Sequence, residues 1–356
     1  MAGEFIPPLG DLDSESLRVY LHRMADWSAD YRRDVAALPI SPDVSPGDTT
    51  RSLASSMPEE GESLDDILGD IDRIVMPGVV HWGHPAFLGY FGSTSNGPAL
   101  LGELAAAALN TSSMTWRTSP ATTELEARVL EWLGELIGVP RNFFGVVYDT
   151  ASVGVVHALA AARERVAPDI RGLGIAGRAD IGTLRVYASD QAHSSLDKAM
   201  IMLGLGERNV VRIESDEAFR MNVTALRSAM QRDIESGMRP FAVVATVGTT
   251  STAAVDPVRD IAAVCREHDA WLHVDGAYGA AMSALPEGRW VLDGIELADS
   301  MVVNPHKWLF VPLDYSVLYT RHPKLLRSVF SLVPEYLRGD AGGSTVDYMD
   351  YGIQLG

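Results

Sequence analysis

Cysteine and lysine are close to absent from this chain of 356 residues. With a single cysteine, Cys265, no disulfide can form within the chain; a reducing compartment fits best, and a cytoplasmic location is expected. Only Lys198, Lys307 and Lys324 carry an amine side chain, so chemistry that needs an amine has three places to reside. Positive charge is scarce as well: 29 Lys and Arg against 47 Asp and Glu leave a net charge of −18. Such a chain is a poor candidate for coating nucleic acid or an anionic membrane. Long apolar runs are missing too, since FAVVATVG is strand-length and spanning a bilayer takes roughly 18 residues. The first residues, MAGEFIPPLGDLD, lack a basic stretch followed by an apolar one, so no secretory leader is expected. No P-loop or zinc pattern occurs, and His81 and His84 have no neighbouring ligand set, so no metal is expected. Gly172, Gly174 and Gly177 match G-x-G-x-x-G but precede a strand instead of following one, which points to a loop. What is present is core material, with 47% hydrophobic residues and length for about two domains.

The N-terminal third reads as helical. From Asp13, Leu17, Tyr20, Leu21, Met24 and Trp27 recur at helical spacing, and Pro39 lies beyond the end. After a Ser-, Pro- and Gly-rich loop, Ser63 caps a second helix, with Asp65 and Asp66 in its first turn, that should bury Leu64, Ile67, Leu68, Ile71 and Ile74 before Pro77-Gly78 stops it. Pro98 opens a third helix, ALLGELAAAALN. Pro120 opens a fourth, with Leu125, Val129, Trp132, Leu133 and Leu136 on one face. From Gly145 the period changes. Short β-branched runs (GVVY, LRVYAS, NVVRI, FAVVATVG, WLHVD, SMVVN) alternate with helical segments, which predicts βαβ crossovers and a mostly parallel sheet covered on both faces. Ligands of such sheets bind beyond the carboxyl ends of the strands. Thr150 to Ser152, Asp190 to His193, Gly248 to Thr250, Asp275, and Asn304 to Lys307 should therefore converge.

Among the lysines, Lys198 sits beside Asp197 in a helical segment and Lys324 in a polar loop, RHPKLL. Lys307 follows a strand in NPHKWLF, where an apolar setting would lower its pKa as a Schiff-base nucleophile requires; the alternative is a stem that snorkels past Trp308 and Phe310. Asp275 ends WLHVD, where a carboxylate needs a partner, unless it merely caps the next turn. A lysine for a Schiff base and a carboxylate for a pyridine nitrogen are what pyridoxal phosphate uses. Thr150-Ala151-Ser152 between strand and helix suits an anion, or is an ordinary cap. His193 could stack over an aromatic ring or be a core histidine. Cys265, beside Ile261 and Val264, reads as core. Ser152, Asp275 and His306 also occur in the chain order of α/β serine hydrolases, although Thr150 stands where the nucleophile elbow has glycine.

In HPAFLGYF, TSPATTELE, SDQAHSSLDKA, TVGTT, WLHVDGAYG and ADSMVVNPHKWL, from about His84 onward, the chain resembles the group II pyridoxal-phosphate-dependent amino-acid decarboxylases, particularly the aromatic-L-amino-acid decarboxylase branch. The resemblance implies a fold-type-I (aspartate aminotransferase-like) α/β large domain with a mixed, mostly parallel sheet, here residues 96–356, behind a helical dimerisation segment, 1–95. It implies a homodimer with shared active sites and decarboxylation of an L-amino acid, an aromatic one by the branch it resembles, to the amine. By the same resemblance Lys307 bonds the cofactor, Asp275 pairs with its pyridine nitrogen and His193 stacks on its ring. Ala151, Ser152, Asn304 and His306 would hold the phosphate, and Thr250 and Ala277 would line the ring. Tyr90 and Phe91 would face substrate, and Tyr336 would be the catalytic-loop tyrosine. Gly92-Ser93 depart from the family's Pro-Thr, Arg117 replaces a small residue, and the family's small C-terminal domain is expected to be missing after Gly356. A pyridoxal-phosphate-dependent aldehyde synthase and a degenerate, non-catalytic decarboxylase-like partner are the remaining alternatives.

Overall fold

The computed structural model describes residues 11–332 and 345–354. The chain divides into two compact units, Met1–Gly89 and Tyr90–Gly356.

In the first unit, α1 (Ser14–Asp34) starts where Asp13 accepts the N–H groups of Glu15 and Ser16, which satisfies two of the helix's orphan donors. α2 (Asp48–Ser52) and α3 (Leu64–Asp70) follow, the latter capped by Ser63. Trp27 donates to Asp72 at 2.9 Å and the Tyr31 hydroxyl meets His81 Nδ1 at 3.1 Å, so polar ends of aromatics tie α1 to the segment after α3. Among the described residues of this unit only Ile74 and His81 are buried. The expectation that the second helix buries five apolar residues is therefore corrected. Ile67 is 45% exposed, Leu64, Leu68 and Ile71 are only half-buried, and Ile74 alone of the five is buried.

The second unit opens with α4 (Gly97–Leu109), capped by Asn96, and α5 (Pro120–Ile137). A seven-stranded sheet follows, with strands β1 (Phe144–Tyr148), β2 (Leu184–Ser189), β3 (Val210–Ile213), β4 (Arg239–Thr246), β5 (Trp271–Asp275), β6 (Ser300–Val303) and β7 (Ser316–Thr320). Their spatial order is β1-β7-β6-β5-β4-β2-β3. Every neighbouring pair is parallel except the two that β7 makes, with β1 and β6. The run SVLYT was missing from the expected strands, and it is the strand that makes the sheet mixed. The crossovers carry α6 (Ala151–Val166), α7 (Ile170–Leu173), α8 (Ser195–Met202), α9 (Val223–Glu235) and α10 (Val258–Glu267). α11 (Pro305–Trp308) and α12 (Pro323–Phe330) flank β7. From Pro240 to Thr246 all of β4 is buried, as a central parallel strand covered on both faces must be.

Two glycines set the spacing around the rim of the sheet. A Cβ on Gly154 would stand 2.6 Å from Val302 Cγ1, so its absence lets the first turns of α6 lie directly on β6. Gly248 has φ +85°, and a Cβ there would stand 2.9 Å from the Gly279 backbone nitrogen; glycine alone suits both demands.

Candidate active site

The carboxyl ends of the parallel strands enclose a cavity of about 200 Å³. Its lining includes Thr150, Ala151 and Ser152 from the β1–α6 turn, His193 after β2, Gly248 and Thr250 after β4, Asp275 and Ala277 after β5, and Asn304, His306 and Lys307 around α11. Each segment expected to converge sends at least one residue here, although Asp190, Gln191, Ala192, Thr249 and Pro305 stay outside the lining. A larger hollow of about 400 Å³ lies between α5 and the segment Val139–Phe143. Its lining holds arginines and glutamates but no lysine, histidine or cysteine, so the chemistry belongs to the smaller one.

Each side chain is set by its element. β5 delivers Asp275 to the rim, where the residue is 7% exposed and Oδ1 accepts the Ala277 N–H at 3.1 Å. Lys307 rides on α11, begun by Pro305 and held where its backbone N–H donates to Asn304 O. Lys307 is half-buried whereas Lys198 and Lys324 are exposed. Burial holds the Lys307 amine below its usual pKa, against the opposing pull of Asp275. This raises the fraction of uncharged nucleophile at neutral pH. β7 fixes Asn304, because the Ser316 hydroxyl donates to its Oδ1 at 2.6 Å. His306 Nδ1 accepts the Tyr315 N–H at 3.0 Å; burial first, and then Lys307, lower the pKa of its ring. The His193 ring accepts the Ser195 N–H at 3.1 Å. Thr150 caps α6 by accepting from Val153, which turns the positive end of a 16-residue helix toward the cavity.

Sequence reasoning missed the aromatic wall. Phe91 stacks on Tyr278 with centroids 3.6 Å apart, and Tyr278 on Trp308 at 4.9 Å. Lys307 Nζ lies 5.8 Å from the Phe91 centroid. Tyr278 and Trp308 stand inside the quoted motifs WLHVDGAYG and NPHKWL, so the signal was present but assigned to no role. Thr246 was missed as well. It lines the cavity, faces Asp275 in register across β4 and β5, and buries a hydroxyl that has no hydrogen-bond partner among the described residues. Of the two expected substrate-side aromatics, Phe91 lines the cavity, whereas Tyr90 is 84% exposed and outside its lining. Tyr336 lies outside the described residues.

The geometry disfavours a serine hydrolase. Among the described residues no hydrogen bond joins Ser152 to His306 or Asp275, and His306 Nδ1 is occupied by Tyr315. The same residues do fit pyridoxal phosphate: an amine of lowered pKa, a buried carboxylate, an anion-favouring helix end and a partnerless hydroxyl share one cavity.

Comparison with known proteins agrees. The model of the pyridoxal-dependent decarboxylase conserved domain matches residues 46–356. Tyrosine/DOPA decarboxylase 2 of Papaver somniferum is 38% identical over 97% of this chain and 66% of its own length. Phenylacetaldehyde synthase of Arabidopsis thaliana is 37% identical over 100% of this chain and 73% of its own. The chain thus spans about two thirds to three quarters of the length of these relatives. A crystal structure of Oryza sativa TDC with PLP and tryptamine superposes with a TM-score of 0.92 at 36% identity, covering 99% of this chain and 73% of that one. With a family model matched over most of its length and a fold shared with a structure that contains the cofactor, the chain belongs to the pyridoxal-dependent decarboxylase family.

Proposed function

We propose that this chain removes the α-carboxylate of an aromatic L-amino acid as carbon dioxide and releases the amine. The observation that carries this reading is the meeting of Lys307, Asp275, His193 and the α6 N-terminus in one cavity. Bound pyridoxal phosphate would supply the electron sink that makes the Cα–carboxylate bond breakable. Lys307 Nζ would be the cofactor's point of attachment, the place into which a substrate amine would exchange. Asp275 keeps a proton on the pyridine nitrogen. Ser152, with the first-turn N–H groups of α6, Asn304 and His306, holds the phosphate at the positive helix end. His193, Thr250 and Ala277 fix the plane of the ring, which fixes the bond that breaks. Phe91 and Tyr278 line the cavity, with Trp308 stacked on Tyr278, and this aromatic side suits an aromatic substrate side chain. On the sequence resemblance alone, Tyr336 delivers the proton to Cα, the work of a positioned general acid.

The working unit in this reading is a cytoplasmic homodimer with shared active sites, in which residues 1–95 serve dimerisation and 96–356 bind the cofactor. Its support is the apolar surface that each unit leaves uncovered: Leu17, Leu21 and Ile67 in the first, and all of Leu101 to Asn110 in the second. Patches of that extent mark contact surfaces. The buried free thiol of Cys265 suits a reducing compartment.

The test is product analysis with Trp, Phe, Tyr, Dopa, Glu and cysteine sulfinate. Equal amounts of carbon dioxide and amine from one of the first four are expected. Aldehyde with peroxide would instead make the protein an aldehyde synthase, and turnover confined to Glu or cysteine sulfinate would overturn the aromatic assignment.

A further inference from the structure

Two segments far apart in sequence meet at the lysine of the cavity. The helix that carries it, α11, is a single turn, Pro305–Trp308, and a helix leaves its last carbonyls without partners of its own. The Lys307 N–H returns to Asn304 O at 3.0 Å, and the N–H groups of Leu309 and Val311 both return to Pro305 O, at 3.1 and 3.4 Å. The next two carbonyls, those of His306 and Lys307, are met from outside the helix by one residue. The Thr94 N–H donates to His306 O at 3.1 Å, and the Thr94 hydroxyl donates to Lys307 O at 2.5 Å. Thr94 therefore caps the turn on which the lysine rides.

The same segment also reaches the other end of the side chain. Three residues before Thr94, the Phe91 ring centroid lies 5.8 Å from Lys307 Nζ. Phe91 stacks on Tyr278, and Tyr278 stacks on Trp308, the last residue of α11. Residues 91–94 thus touch Lys307 at its carbonyl and face it at its amine. A lysine amine hangs on a flexible four-carbon stem, so its place in the cavity depends on where the backbone beneath it is held. A misplacement of about 1 Å at a reacting group costs on the order of a hundredfold in rate.

We propose that Thr94 is a positioning residue for Lys307: by holding the carbonyls of His306 and Lys307, it fixes the backbone from which the amine reaches the cofactor. Thr94 is not among the residues that line the cavity. It acts through Lys307, and the inference rests on the attachment role given to Lys307 above.

The experiment adds pyridoxal phosphate to the cofactor-free full chain and follows attachment by absorbance, with borohydride trapping and peptide mapping to identify the lysine. Thr94→Val keeps the β-branched shape and the backbone N–H and removes only the hydroxyl. Its attachment rate should fall on the order of tenfold. At saturating cofactor its kcat should fall while KM stays within about twofold, as expected when substrate binding is untouched. Thr94→Ser returns the hydroxyl and should bring the attachment rate back to the parent's. A hydroxyl that only fastens a loop would lower the unfolding temperature and leave the attachment rate unchanged. If Thr94→Val does not fold, Thr94→Ala, which is too small to clash, takes its place under the same criteria. Parent-like attachment in the folded Val or Ala variant, or a Ser variant as slow as that variant, would overturn the inference. Label on Lys198 or Lys324 in the parent would instead overturn the role of Lys307.

Discussion

Within the second unit, the central strands and the helix α4 are both built from largely apolar sequence, yet they meet different fates. β4, β5 and β6 are buried almost without exception, whereas α4 carries one charged residue in 13, Glu103, and has no buried residue at all. α5 shows both fates on one helix. Leu130, Gly134 and Ile137 are buried against the sheet, while Leu125 and Trp132 are each 59% exposed and Leu136 is 49% exposed. Apolar periodicity reports that a face wants a partner, without saying which face finds one inside its own chain.

The same difference separates what was legible in the sequence from what was not. Six strands and the crossover helices other than the single turn of α7 were readable, because parallel strands covered on both faces appear as unbroken β-branched runs. The convergence of Ser152, His193, Asp275 and Lys307 was readable because this topology sends the carboxyl end of every strand but β7 to one rim. β7 escaped because SVLYT has no crossover helix before it; it returns antiparallel after the single turn of α11, so the strand–helix alternation gives no cue. The helix from Pro120 showed an apolar face at Leu125, Val129, Trp132, Leu133 and Leu136, of which Val129 and Leu133 are half-buried, but its buried residues include Thr123 and Gly134, small residues that hydrophobic spacing overlooks. The Phe91–Tyr278–Trp308 wall joins residues far apart in sequence, and only the fold stacks them.

Two variants sharpen the contrast between the regions. The larger effect is expected at the outer face. Leu101 is 67% exposed and Leu104 is 50% exposed, so Leu101→Glu with Leu104→Glu should cost the isolated fold little, within about 0.5 kcal/mol per site as for ordinary surface positions. If a second copy covers α4, the pair should convert a dimer to a monomer and abolish turnover, read by light scattering and assay. A dimer of parent affinity with both glutamates in place would break the comparison, making this face solvent in the assembly as well. The smaller effect is expected at the packed rim. Gly154→Val forces a Cβ onto Val302 where the two residues already meet, and overpacking of this kind costs about 1–3 kcal/mol. Thermal unfolding of the cofactor-free protein should show the loss, and cofactor affinity should fall with it because α6 carries the phosphate end of the cavity. Unchanged unfolding would mean that the helix can lift from the sheet at no cost.

The central claim is that the half-buried amine among three lysines, Lys307, is the cofactor's attachment point. Borohydride reduction of the loaded protein, followed by peptide mass mapping, tests it directly. The predicted result is a single phosphopyridoxyl group on the peptide containing Lys307, lost in Lys307→Ala. Label on Lys198 or Lys324, or no label at saturating pyridoxal phosphate, would contradict it.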